Sequence, residues 1–171
     1  MGGGARGAGS FRADRSAGGR DGNVRRARIA SVIVADTSVL ISVLTGEAEA
    51  AGFTRTLQLS DNTVISAVTL VETTFVAARD GDVAATLGVD RLLSSYEIET
   101  VAVDRAQAEI ARQAFITYGK GRHPAALNIC DCFSYALARA LECPLLFKGD
   151  DFTRTDVKVA DPAANGGDGG V

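Results

Sequence analysis

Histidine is almost missing from this 171-residue chain, which carries a single one at position 123. One imidazole leaves no room for a multi-histidine zinc site or for a serine–histidine catalytic pattern. Cysteine is scarce as well: three residues, Cys130, Cys132 and Cys143, with no C-x-x-C pair. An odd count without framework spacing suits a reducing cytoplasm. Cys130 and Cys132 lie two apart in a run that reads as helix, so they point about 200° apart and cannot face one ion. No apolar run approaches transmembrane length, and there is no internal repeat. Positive charge is short in the body of the chain. Residues 1–31 hold seven arginines against Asp14 and Asp21, a net of +5, and subtracting that from the overall −3 leaves −8 for the rest. A net-acidic body does not bind nucleic acid by bulk charge, so any such binding must rest on local groups or metal ions.

The length and a 46% hydrophobic content suffice for one domain with a proper core. Residues 1–31 are glycine- and arginine-rich, have almost no large apolar residue, and are expected to be disordered. The run "RRARIASVIVA" has the paired arginines of a twin-arginine export signal, but Asp36 cuts the apolar stretch and the expectation is a cytoplasmic protein. Residues 161–171, "DPAANGGDGGV", read as a frayed tail. Between them, residues 32–160 alternate short apolar strands with helices. Strands are expected at Val32–Ala35, Thr63–Ala67, Ile98–Val103 and Leu145–Phe147, with "VKVA" adding an edge strand. Helices are expected after Asp36, over Glu47–Gln58, through "VTLVETTFVAAR" and "DVAATLGVDRLLSSY", from an Asp104 cap to a Gly119 stop, and from Asn128 onward. This alternation predicts an α/β fold, a three-layer α/β/α sandwich around a mainly parallel sheet.

In such sheets function gathers beyond the carboxyl ends of the strands. Asp36 follows the first strand; Lys148, Gly149, Asp150 and Asp151 follow the last. Each acid has an ordinary explanation: Asp36 as a helix cap, Asp131 as the third residue of a helix capped by Asn128, the Asp150–Asp151 doublet as turn residues. Glu72 is harder to dismiss. It lies one turn after Val68 and just under one turn before Phe75, so it is expected on the buried apolar face of its helix, where an unpaired carboxylate costs several kcal/mol or more. Taken together, four carboxylates in one place repel unless some protonate or a hard cation binds among them. An all-oxygen set suits Mg²⁺ or Mn²⁺ and supports metal-assisted hydrolysis of a phosphodiester. Lys120, Arg122, His123, Lys148 and Arg154 are candidate phosphate partners.

Four segments in this order, "VIVADTSVLI", "SAVTLVETTFV", "DCFSYALA" and "LLFKGDDF", together resemble the PIN-domain ribonucleases, and among them the VapC-type toxins of bacterial toxin–antitoxin operons. The loop "YGKGRHPAALN" is similar to that of a mycobacterial-type subset. The resemblance covers nearly all of residues 32–160. It implies a PIN-like sandwich and a metal-dependent endoribonuclease with Asp36, Glu72, Asp131 and Asp151 as the acidic set. It also implies a cognate antitoxin whose tail blocks the site, and a homodimer. Ser38 falls where the family often has a hydroxyl that orders the metal site, while Asp150 leaves the fourth acid ambiguous. Cys130 stands where related sequences often have glycine or alanine. The family offers no counterpart for residues 1–31, and Val32 stands where such a chain would begin, so the segment is expected to be dispensable and outside the native product. Three rival readings remain: a haloacid-dehalogenase-like phosphatase using Asp36, a non-catalytic PIN-like module binding RNA or a partner, and a DNA nuclease of related fold. The phosphatase pattern wants a second aspartate at the position of Ser38 and leaves Glu72 unexplained.

Overall fold

The computed structural model describes residues 32–79 and 83–162. The expected disorder of residues 1–31 and of the tail from 163 lies outside the described residues. Four strands, β1 (Val32–Ala35), β2 (Asn62–Ser66), β3 (Glu99–Val101) and β4 (Leu145–Leu146), form one sheet in the order β3-β2-β1-β4. Every pairing is parallel, with Val34 opposite Val64 and Leu145, and Ile65 opposite Thr100. Parallel neighbours need crossovers, and these supply the helices. α1 (Thr37–Thr45) and α2 (Ala50–Leu59) join β1 to β2, and α3 (Ala67–Ala77) and α4 (Val83–Ser95) join β2 to β3. α5 (Arg105–Tyr118) and α6 (Ile129–Ala140) lead to β4.

Alternation along the strands assigns their residues to two cores. Ile33, Ala35, Ile65 and Leu146 pack with Val39 and Leu40 of α1, Phe53 and Leu57 of α2, and Leu92 of α4. Val34, Val64 and Leu145 face the other way, onto Ala111 and Ala114 of α5 and Ala136 and Leu137 of α6. The expected three-layer sandwich is therefore present, because strands apolar on both faces demand helices on both. The "VKVA" segment is not a strand: it makes one isolated bridge, Leu145 to Val159, since β4 is two residues long and offers too little edge to pair with. Among the described residues no helix is long and apolar enough to cross a membrane.

The chain winds outward from β1 through β2 to β3, then returns to place β4 on the other side of β1. That reversal makes the carboxyl ends of β1 and β4 a topological switch point, where an open α/β sheet leaves a crevice. Asp36 leaves β1 at this crevice, and the 148–151 segment leaves β4 there.

Candidate active site

Asp36 is 4% exposed and caps α1, with extended backbone and its carboxylate turned into the first helical turn. Its Oδ2 accepts hydrogen bonds from the Ser38 backbone N–H at 3.0 Å and the Ser38 hydroxyl at 2.7 Å. Its Oδ1 accepts from the buried Ser134 hydroxyl of α6 at 2.8 Å. Thr69 of α3 lies 3.1 Å from Ser134. Because the one Ser134 proton is directed at Asp36, Thr69 is the donor in that pair. Ser38 Oγ also accepts from the Lys148 backbone N–H at 3.0 Å, which ties the end of β4 to the cap of α1. Three elements thus converge on one buried carboxylate, and capping is compatible with a further role for it.

Glu72 accepts a short hydrogen bond from the Thr37 hydroxyl. The expectation that it shares a buried apolar face is corrected. The buried residues of α3 are Thr69 and Thr73, while Val71 and Phe75 are 49% and 72% exposed. The helix turns a hydroxyl face inward because that face meets Thr37, Ser134 and Asp36 rather than hydrocarbon. Glu72 is half-buried, and it accepts from the Thr37 hydroxyl and pairs with no arginine or lysine among the described residues.

Asp131 is the third residue of α6 in a reciprocal cap. Asn128 Oδ1 accepts from the N–H groups of Cys130 and Asp131, and Asp131 Oδ2 accepts from the Asn128 N–H at 2.7 Å. Burial pushes its carboxyl up to about 6, and the charges of Asp36, Glu72 and Asp151 push in the same direction against the Asn128 hydrogen bond. Asp36, Glu72 and Asp151 therefore all lie near enough to act on Asp131. The carbonyl of Asp150 accepts from the Thr153 N–H and hydroxyl. The left-handed turn at Gly149, φ 91, bends the chain out of β4 to present this doublet. Cys132 is buried, and Cys130 is half-buried against Glu72. Burial, followed by the Glu72 charge and hydrogen bond, pushes the Cys130 thiol up to about 12, so it is protonated beside Glu72.

Among the described residues no three acidic, cysteine or histidine side chains stand gathered as a ready ligand shell. Asp131 is turned to Asn128 and Glu72 to Thr37, each satisfied by a donor of its own. The set nevertheless fits a hard divalent cation in kind and in charge. All its donors are oxygen, and both the burial and the neighbouring charges that oppose ionisation of Asp131 are offset by such a cation.

Of the candidate phosphate partners, Lys148 is committed elsewhere. Its ammonium pairs with Glu47 at 2.6 Å and Glu49 at 3.2 Å. His123 holds its own loop, accepting from the Ala125 N–H through Nδ1 and resting edge-on to Tyr118 at 5.2 Å. Lys120, Arg122 and Arg154 are exposed and have no carboxylate partner among the described residues. Thr37, Thr69 and Ser134 escaped the sequence reading. Their signal was spacing: Thr69 and Ser134 stand three residues from Glu72 and Asp131, on the same helix faces. Ser38, with its hydroxyl donated into Asp36, also leaves the phosphatase rival without its second acid.

The PIN domain family model matches residues 33–158. Ribonuclease VapC42 of Mycobacterium tuberculosis is 43% identical over 129 residues, covering 75% of this chain and 98% of the relative. Ribonuclease VapC of Mycolicibacterium smegmatis is 41% identical over 125 residues, covering 73% and 97%. Among solved structures, the sarcin-ricin loop cleaving toxin VapC20 of Mycobacterium tuberculosis superposes with a TM-score of 0.63 at 17% identity, covering 75% and 98%. VapBC2 of Rickettsia felis, bound to a DNA fragment from its promoter, gives a TM-score of 0.60 at 14% identity, covering 76% and 97%. At those identities the structural likeness speaks for the fold, and the sequence relatives carry the family. This chain belongs to the PIN-domain family, among the VapC ribonucleases.

Proposed function

We propose that the protein is a metal-dependent endoribonuclease and the toxin of a toxin–antitoxin pair. The observation that carries this reading is the opposition of Asp36, Glu72 and Asp151 to the ionisation of Asp131 at the switch-point crevice. The names of the sequence relatives supply the substrate class, RNA. Asp36, Glu72, Asp131 and Asp151 would hold Mg²⁺ or Mn²⁺, which supplies charge neutralisation at a scissile phosphate and a more acidic water. The chain's own contribution is to hold those oxygens in place. Ser38 and Ser134 fix both oxygens of Asp36, Thr37 orients Glu72, and the α6 cap sets Asp131 at the crevice. Asp151 is the fourth acid in this reading and Asp150 its turn-forming neighbour.

A cognate antitoxin and a second copy of the chain are the proposed protein partners. Exposed apolar side chains support association: Val71, Phe75 and Val76 on α3, Leu87 on α4, and Phe115, Ile116 and Ile129 on α5 and α6. Solved toxin–antitoxin complexes share the fold. A cytoplasmic site of action belongs to the same proposal. The test is incubation of purified protein with total bacterial RNA and mapping of the new ends. Discrete cuts in Mg²⁺ that vanish in Asp36→Asn support the reading; intact RNA across Mg²⁺ and Mn²⁺ concentrations overturns it.

A further inference from the structure

The acidic centre repels the substrate it is proposed to cut, so something beside it must hold RNA. The segment between α5 and α6 is built for that. Its base is closed by paired hydrogen bonds, Lys120 N–H to Leu127 O and Leu127 N–H to Tyr118 O, both 3.0 Å. Inside, the N–H groups of Arg122 and His123 donate to Gly119 O, and Ala126 N–H donates to His123 O. Ala125 and Leu127 are fully buried and peg the loop to the core. A side chain at Gly119 would place its Cβ 2.3 Å from the Phe115 carbonyl, so the loop leaves α5 by a path that only glycine permits. Gly121 and Ala126 adopt left-handed conformations, φ 82 and 51, and Ala126 does so at a cost that the pegs on either side of it impose. This is a rigid, over-determined loop whose long exposed side chains, Lys120 and Arg122, are cationic.

Lys120 and Arg122 project from it, and Arg154 joins them from the 3-10 turn Phe152–Arg154 by donating to Pro124 O at 3.1 Å. Arg122 lies over the Phe115 ring at 5.7 Å, which orders its guanidinium without using its N–H donors. Arg154 spends one of five donors. Of the other cations, Lys148 pairs with Glu47 and Glu49, Arg112 with Glu109 and Arg139 with Asp156, while Arg105 stands at the far, N-terminal end of α5. Both cationic segments run straight into the acidic set. The loop ends at Asn128, the cap of the helix that carries Asp131, and Arg154 stands three residues after Asp151, at most roughly 10 Å along the chain.

We infer that Lys120, Arg122 and Arg154 form one phosphate-binding ledge. It grips the RNA backbone on one side of the scissile bond, with His123 as its internal brace and Lys148 excluded. The inference rests on the ribonuclease reading and adds the place where substrate is held. It is a positioning site, and its contribution is electrostatic.

The test measures binding of a labelled single-stranded oligoribonucleotide to the Asp36→Asn protein at several salt concentrations, beside cleavage by the otherwise unchanged protein. Three single-strand phosphate contacts contribute about 0.7 each to the slope of log affinity against log salt. The triple variant Lys120→Gln, Arg122→Gln, Arg154→Gln should flatten that slope by about 2 and weaken binding about a hundredfold at 0.1 M salt. The charge-keeping triple Lys120→Arg, Arg122→Lys, Arg154→Lys should retain the slope, and Arg112→Gln should leave it unchanged. A flattened slope in the glutamine triple alone, with melting behaviour intact, supports the ledge. An unchanged slope in a protein that still cleaves RNA overturns the ledge and leaves the ribonuclease reading standing. Failure of the parent to cleave any RNA overturns that reading itself.

Discussion

Replacing Ser134 with alanine deletes one hydroxyl from a fully buried position and leaves the packing of α6 otherwise intact. That hydroxyl donates to Asp36 Oδ1 at 2.8 Å and sits 3.1 Å from the Thr69 hydroxyl. A hydrogen bond to a charged group contributes about 1.5–3 kcal/mol, and here the loss also orphans the proton of Thr69. Asp36 keeps both bonds from Ser38, so the expected destabilisation is about 2 kcal/mol rather than the full cost of a bare buried carboxylate. For a domain of this size that lowers the melting temperature by roughly 7 °C. Urea unfolding in EDTA should show a lower midpoint with an unchanged slope. Removing both hydroxyls together in Ser134→Ala/Thr69→Val should cost less than the two single changes added, because neither leaves a stranded partner. With Asp36 Oδ1 no longer held from α6, cleavage should fall about 10–100-fold, the usual loss when a ligand's support is removed. Ser134→Ala within 0.5 kcal/mol of the parent (on the order of the effect of a neutral surface change) and fully active would refute the claim that this hydroxyl holds Asp36.

Glu72→Gln should abolish cleavage while raising the unfolding midpoint of the metal-free protein, since it removes one of the charges opposing Asp131; near-full turnover would return Glu72 to a structural role. Asp131 has a folded value of about 6 against an ordinary 3.8, so its burial opposes folding above pH 6 and that penalty is relieved as pH falls toward 4. A cation requires the ionised form, so Mn²⁺ affinity measured calorimetrically should be level above pH 7 and fall about tenfold per unit well below pH 6; an affinity flat from pH 8 to 5 would remove Asp131 from the ligand set. Deletion of residues 1–31 should leave folding and cut sites unchanged and weaken RNA binding only at low salt, and altered cut positions would show that the arginine-rich segment takes part in recognition.

Much of the layout was legible because it follows from local chemistry. "VIVA" and "PLLF" are apolar on consecutive residues, which only a doubly covered strand satisfies. Asp104 and Asn128 cap the helices they precede, and Asp36 ends β1 where a parallel sheet puts its site. The reciprocal bond between Asn128 and Asp131 was also foreshadowed by their spacing. What stayed hidden depends on contacts between distant segments. Periodicity placed Glu72 with Val68 and Phe75, but whether an apolar stripe faces the core or a partner is decided by what packs on it, and Phe75 faces outward. Ser134 and Thr69 carry no signal until α6 and α3 are laid side by side at Asp36. Lys148 looked available because the glutamates that neutralise it lie about a hundred residues earlier in the chain. The doublet Asp150–Asp151 stays a choice for mutagenesis, with the charge of Asp151 acting on Asp131 as the support for Asp151.

The central claim is that four carboxylates, two from segments beyond strand ends and two from helices, make a single cation-dependent site that cuts RNA. It is tested most directly by the rate of cleavage of a labelled RNA as Mn²⁺ is titrated into EDTA-treated protein, for the parent and for Asp131→Asn. The account predicts no cleavage before addition, a saturable rise for the parent, and a curve displaced at least about tenfold to higher Mn²⁺ or abolished for the variant. Cleavage that persists in EDTA, or titration curves that coincide for the two proteins, would contradict it.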